Sequence, residues 1–392
     1  MPNSLDSTSS VIAKPSELSS HRLPRRDFVI LPLLSLATVA VMFGATEVVT
    51  RMIWVEGGHD TCRADDPVTG PRHKPNCVAR MKAPESPWVV EKFNDCGYRT
   101  PTPCGVKPPG TIRVALMGSS TAEGYMIPYP DTFAARATDV LSRACHRNVE
   151  FQNMAIAGST PLHAYRRLDE ALAMHPDIVM LVLTAFDIEH PIDPEVLASR
   201  KTRQPLPAPP PIKLGIGHRM KDALSQSRTV FVAQHFLYED EQTYAKLFLL
   251  DREHAAFLRS PLTPAWEKRL ADLDLLLGEM AERLHALHIP FVVVGIPHRV
   301  TAALLTSRDL PAGVNPHAFE RRLAEISEKH GIGYVEVSRS FSRLSTSNGL
   351  FYSENSHPNS KGEGIIADAI VEQITDSGIP AFSGCKIRNR TS

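Results

Sequence analysis

Apolar positions fall into three textures along this chain. The first is a nearly unbroken run from Phe28 to about Val49, interrupted by a charge only at Glu47. Roughly 20 apolar residues rising about 1.5 Å each cover a hydrocarbon core of about 30 Å, which predicts a transmembrane helix over 28–50. The second texture, 51–110, is rich in Pro, Gly, Asp and Asn and holds no sustained period. The third begins near Thr111, where short apolar runs alternate with stretches of helical spacing.

In that third region Ile112–Met117, Ile178–Leu183 and Phe291–Ile296 are continuous apolar runs, the pattern of strands buried on both faces. Val149–Met154 alternates and reads as another strand, and Gly333–Val337 as a fifth. Helical spacing marks Asp131–Ser142, Leu162–Met174, Trp266–Leu287, Phe319–His330 and Gly362–Thr375. Strands alternating with helices of this length predict parallel βαβ units, hence an α/β sandwich over 111–385. The alternation breaks between 191 and 264. Pro205–Pro211 reads as a stiff linker and Ser227–Leu258 as an aromatic-rich helical insertion over the sheet's C-terminal edge.

Charge then orients the apolar run. Lys14, Arg22, Arg25 and Arg26 precede it, while Arg51 and Arg63 follow. This bias predicts a single-pass signal anchor, with 1–27 as a disordered cytoplasmic tail and the remainder outside the cell inner membrane, in a periplasmic or other extracytoplasmic space. A cleaved signal peptide lacks a suitable A-x-A site after the run. Arg25-Arg26-x-Phe28 also fits a twin-arginine export signal. A buried core helix would carry a polar face.

Export changes the reading of the six cysteines, Cys62, Cys77, Cys96, Cys104, Cys145 and Cys385. None forms the C-x-x-C pair of a zinc site, so no metal is expected. In an oxidising compartment they predict disulfides, stapling 51–110 as a Cys-rich juxtamembrane segment. Fifteen pairings remain open. The 43 Lys+Arg balance the 43 Asp+Glu, which excludes a global field for nucleic acid.

Chemistry is expected where strands end, because open parallel sheets bind ligands beyond their carboxyl edge. After the first strand, Gly118-Ser119-Ser120-Thr121-Ala122-Glu123-Gly124 is a tight turn into a helix and offers Ser120 as nucleophile beside free backbone N–H groups. Near the other end, Glu354-Asn355-Ser356-His357-Pro358-Asn359 precedes the last helix. His357 reads as the base and Glu354 as the group that orients it. Asp187, after the third strand, and His298 and Arg299, after the fourth, would face the same edge and are candidate substrate contacts.

These strings resemble the blocks of the SGNH/GDSL hydrolase superfamily. Gly118-x-Ser120-x-x-x-Gly124 is similar to its first block, Asn153-Met154-Ala155-Ile156-Ala157-Gly158 to its second, and Glu354-x-x-His357-Pro-Asn to its fifth, in the family's order. The resemblance covers roughly 111–375. It implies a flavodoxin-like three-layer α/β/α sandwich, a Ser120–His357–Glu354 triad, oxyanion donors at Ser120 and Gly158, and no cofactor. It further implies an ester or acylated glycan as substrate. Three positions depart from the pattern. Ser119 replaces an Asp, Glu354 replaces an Asp, and Phe186 in Thr184-Ala185-Phe186-Asp187 stands where an oxyanion-binding Asn belongs, with Thr184 as a substitute donor. The expected function is an extracytoplasmic serine esterase, deacetylase or lipase. The rival expectations are an O-acyltransferase on a cell-envelope polysaccharide and, because of Phe186, an impaired member kept for binding. Acyl chain and oligomeric state stay open.

Overall fold

The computed structural model describes residue 24 and residues 26–202, 204–205 and 226–386. Nearly all of the predicted N-terminal tail, and most of the Pro205–Pro211 linker, lie outside the described residues. The chain divides into two compact units, 1–49 and 50–392. The first consists, among its described residues, of most of the helix Asp27–Ile53, whose most apolar window has a mean hydropathy of 2.3 and no buried residue. It is long and apolar enough to cross a membrane. Within it, Thr38 and Thr46 donate their hydroxyls to the carbonyls of Leu34 and Met42, both at 2.8 Å, so these polar atoms are satisfied inside the helix itself.

The second unit is built on five parallel strands. In chain order these are β6 (Ile112–Met117), β7 (Val149–Asn153), β8 (Ile178–Leu183), β9 (Phe291–Gly295) and β10 (Gly333–Glu336), preceded by five short ones described below. They lie in the order β10-β9-β8-β6-β7. Counted along the sheet's own strands this is 2-1-3-4-5 read from the β7 edge, the flavodoxin-like arrangement, with its switch point between β6 and β8. The continuous apolar runs have a simple cause. Along β8, Val179, Leu181 and Leu183 enter one core, whereas Ile178, Met180 and Val182 enter the other. On the first face the helices Pro264–Ala286 and Ala318–Lys329 supply Leu270, Leu277, Met280 and Leu323. On the second, Phe133–Cys145 and Ser360–Asp376 supply Phe133, Leu141, Ile366 and Ile370.

The segment 51–110 has more structure than its texture predicts. Strands β1 (Gly57–His59), β4 (Val78–Lys82) and β5 (Val89–Lys92) form a small antiparallel sheet, and β2 (Arg63–Asp66) pairs with β3 (Gly70–His73). Disulfides join Cys62 to Cys77, Cys96 to Cys104 and Cys145 to Cys385. The segment shares a compact unit with the parallel sheet and bonds to its β7 edge. Arg99 N donates to Asn153 O at 2.9 Å, and Asn94 Nδ2 to Gln152 Oε1 at 3.0 Å.

In the insertion, the helices Arg228–Tyr238 and Glu241–Phe248 and the turn His254–Leu258 are described. Tyr244, Ala245, Phe257 and Leu258 join the first core.

Candidate active site

Strand β6 ends at Met117, and the chain must turn sharply to start the short helix Ser120–Glu123. Gly118, at φ 152°, makes that turn: a Cβ there would sit 2.5 Å from Ala122 Cβ and 3.1 Å from Val182 O. Ser120 is thereby raised at the first helical position, beyond the carboxyl end of the sheet. On the far side, Asn359 caps the Ser360–Asp376 helix, accepting from the amides of Lys361 and Gly362. The preceding loop is closed by Tyr352 N donating to His357 O at 2.9 Å and by Ser356 at φ 65°. These two loops bring Ser120 Oγ and His357 Nε2 to 2.7 Å.

The other ring nitrogen, Nδ1, bonds to Asn355 Oδ1. The expected Glu354–His357 pair is not what meets the ring. The left-handed turn at Ser356 directs Asn355 toward the imidazole, and the hydrogen bond made by Glu354 runs from its backbone amide to Glu85. Because an amide oxygen only accepts, Nδ1 carries the proton and Nε2 presents its lone pair to the serine hydroxyl. Burial lowers the His357 pKa from the ordinary histidine value, against the opposing effect of Asn355. Burial thus favours the neutral ring, with Nε2 facing the Ser120 hydroxyl.

The second block is fixed to the first. Asn153 Nδ2 donates to Ala122 O at 2.9 Å, and Ala157 N donates to Glu123 Oε2 at 2.7 Å. Gly158, at φ 77°, follows directly and lines the cleft. Three residues of the disulfide-stapled segment hold this region from behind. Arg63 Nη1 donates to Ala157 O at 2.7 Å, His73 Nε2 lies 3.4 Å from Glu123 Oε1, and Arg99 donates to the carbonyls of Glu123 and Gly124 at 2.8 and 2.6 Å. Burial raises the Glu123 carboxyl pKa, with Glu91 adding to the shift and His73 and Arg99 opposing it.

The remaining expected residues divide. Thr184 lines the cleft, but its hydroxyl donates to Asp187 Oδ2 at 2.9 Å and its amide to the same oxygen at 2.6 Å. Its proton is therefore committed, and Asp187 acts as the cap of that turn rather than as a free substrate contact. Burial raises the Asp187 pKa against its bonds from Ser119 and Thr184. Arg299 does not face the cleft. Its guanidinium is buried, donates to Glu241 at 3.0 and 3.1 Å and to the carbonyls of Ser353 and Tyr238, and stacks 3.9 Å over Tyr244. A long charged side chain after a strand could reach either way, and the insertion supplied the partner that decides it. His298 does line the cleft, beside Phe186.

Sequence reasoning passed over Asn355 and Glu85. The Glu85 carboxylate accepts from the amides of Glu354 and Asn355 and lies 2.6 Å from His235 Nδ1. An isolated acid in a turn gives no signal of such a role. The cleft itself encloses about 810 Å³, and its lining includes Ser120 and His357 together with Leu162, Ile188, Ile192, Phe248 and Leu276.

The GDSL-like lipase/acylhydrolase family model matches residues 116–365, which spans the sheet from β6 to the last helix. The chain belongs to that family. No curated protein matches it. Among solved structures it is similar to the acetylxylan esterase Axe2 of Geobacillus stearothermophilus, at 13% identity and TM-score 0.37, covering 67% of this chain and 94% of the other. It is also similar to the esterase EstA of a Pseudoalteromonas species, at 14% identity and TM-score 0.36, covering 68% and 98%. At such identities, nothing about substrate passes from either enzyme to this chain.

Proposed function

We propose that this family member is a serine hydrolase of ester-linked acyl groups, with Ser120 as nucleophile, His357 as general base and Asn355 as the residue that orients the base. The observation that carries the proposal is the 2.7 Å contact between Ser120 Oγ and His357 Nε2 at the carboxyl edge of the sheet. His357 Nε2 takes the hydroxyl proton as Oγ attacks the acyl carbonyl. The backbone N–H groups of Ser120 and Gly158 are assigned to the oxyanion. As the tetrahedral species collapses, the ester C–O bond breaks and Nε2–H protonates the departing alkoxide. A water molecule, deprotonated by the same nitrogen, then attacks the acyl-serine and releases a carboxylic acid with Ser120 restored.

The apolar wall of the cleft favours an acyl chain over a purely polar substrate. The N-terminal apolar helix and three disulfides support a location outside the inner membrane, with the helix as anchor. The approach of Ser120 Oγ to His357 Nε2 favours an enzyme over a scaffolding role, whose motive is the missing oxyanion donor at Phe186.

A fluorophosphonate probe tests the reading on the full chain in detergent. Labelling of the wild type that disappears in Ser120→Ala and falls in His357→Ala is expected. A folded wild type that takes no label would overturn it.

A further inference from the structure

Phe186 leaves the family's third oxyanion position without a donor, because a phenyl ring has none. Its ring instead packs against the His298 imidazole, with centroids 4.2 Å apart at an interplanar angle of 78°. Phe248 contacts the same imidazole at 5.7 Å. The imidazole is thus held in one orientation by two aromatic neighbours. It opens the Arg299–Leu305 helix, where His298 Nδ1 accepts from Val300 N at 3.3 Å.

That one bond fixes the tautomer. A nitrogen accepting from a backbone amide carries no proton, so the neutral ring bears its proton on Nε2. Burial first, then the neighbouring His357, Arg299 and His254, holds the His298 pKa well below the ordinary histidine value. Among the described residues no protein acceptor meets Nε2, and His298 lines the cleft together with Ser120, Gly158 and His357. Neutral imidazoles polarise carbonyl groups in other active sites, so the chemistry asked of this one is ordinary.

We infer that His298 is a catalytic residue, whose Nε2–H donates to the substrate's carbonyl oxygen as negative charge builds there, in place of the asparagine amide that Phe186 supplants. This assignment rests on the Ser120–His357 hydrolase reading. Phe186 then has a purpose of its own: it holds the donor ring in place while forming part of the cleft wall.

Two substitutions separate the donor role from the capping role. Asparagine caps helices well but does not reach the Nε2 position; glutamine reaches it with an N–H but caps poorly. The assay is hydrolysis of p-nitrophenyl butyrate by the full chain in detergent. His298→Asn is expected to lose about 10²–10³ in kcat with little change in KM, the loss typical of a missing oxyanion donor. His298→Gln is expected to keep the larger share of kcat. Adding Phe186→Asn to His298→Asn should restore at least part of the loss. A purely structural role predicts the reverse ranking, with asparagine tolerated and glutamine harmful, and that ranking would overturn the inference. So would wild-type kcat in folded His298→Asn. If the wild type neither hydrolyses the ester nor takes a fluorophosphonate label, the hydrolase reading falls and this inference falls with it.

Discussion

Glu85 Oε2 accepts the backbone amide of Asn355 at 3.1 Å, which ties the disulfide-stapled segment to the loop that carries His357. The same carboxylate accepts from Glu354 N at 3.0 and 3.1 Å, and Arg299 holds the neighbouring carbonyl of Ser353 from the other side. Since a displacement near 1 Å at a catalytic group costs on the order of 10²-fold in rate, Glu85→Ala should lower kcat by about tenfold or more. Glu85→Gln, which keeps one carbonyl acceptor, should lose less. Steady-state kinetics on both variants check this, and equal activity of Glu85→Ala and the wild type would remove Glu85 from the positioning of His357.

The bond from His357 Nδ1 to Asn355 Oδ1 separates two residues that the sequence alone leaves adjacent. Asn355→Ala should reduce kcat by roughly 10-fold to 10²-fold, less than the loss of a charged orienter in a Ser-His-Asp triad, which is on the order of 10⁴. Glu354→Gln should fall by no more than a few-fold. A kcat comparison of the two decides the orienter: collapse of Glu354→Gln with Asn355→Ala intact would return the role to Glu354.

Burial lowers the His357 pKa, and the proposed mechanism needs the unprotonated ring. The sign follows directly. Activity is lost as pH falls through the folded-state pKa, so the acid limb of kcat/KM should lie below the ordinary histidine value of 6.5. Asn355→Asp, which puts a carboxylate beside Nδ1, should move that limb upward. A wild-type limb above 6.5 in a pH–rate profile would contradict the burial argument.

Glu363 on the last helix is buried with its carboxylate oxygen Oε2 accepting from Phe133 N at 2.6 Å, and burial pushes its pKa from 4.5 up to about 8. Between those values the folded state holds a proton on Glu363 that the unfolded state releases, so the stability this carboxyl contributes is fullest below 4.5 and is lost as pH rises through the window. Glu363→Gln keeps the acceptor and removes the titration. Its unfolding free energy from urea titrations should decline less than the wild type's across the window, with a difference on the order of a few kcal/mol at the alkaline end. Parallel curves for the two proteins would refute the assignment.

The sheet was legible because strands covered on both faces leave an unmistakable trace. Ile178–Leu183 is apolar at every position, with alternate residues in opposite cores. Ser120 and His357 were legible because their turns demand residues such as Gly118 and Asn359. Segment 51–110 was not, since strands such as Arg63–Asp66 are short and polar and lean on disulfides and on Asp and Arg contacts rather than on a patterned core. Asn355 was hidden for a different reason. Which of two adjacent side chains meets a ring depends on the left-handed turn at Ser356 and on Glu85 arriving from about 270 residues upstream. Spacing along the chain encodes neither.

If Ser120 forms an acyl-enzyme with His357 as its base, that covalent intermediate can be trapped. Acid-quenched mixtures of the full chain and p-nitrophenyl butyrate, digested and read by peptide mass spectrometry, address it directly. A butyryl group on Ser120 is expected at early times, absent from Ser120→Ala and sharply reduced in His357→Ala. Ester turnover by folded wild type with the acyl group on another residue, or on none, would contradict it.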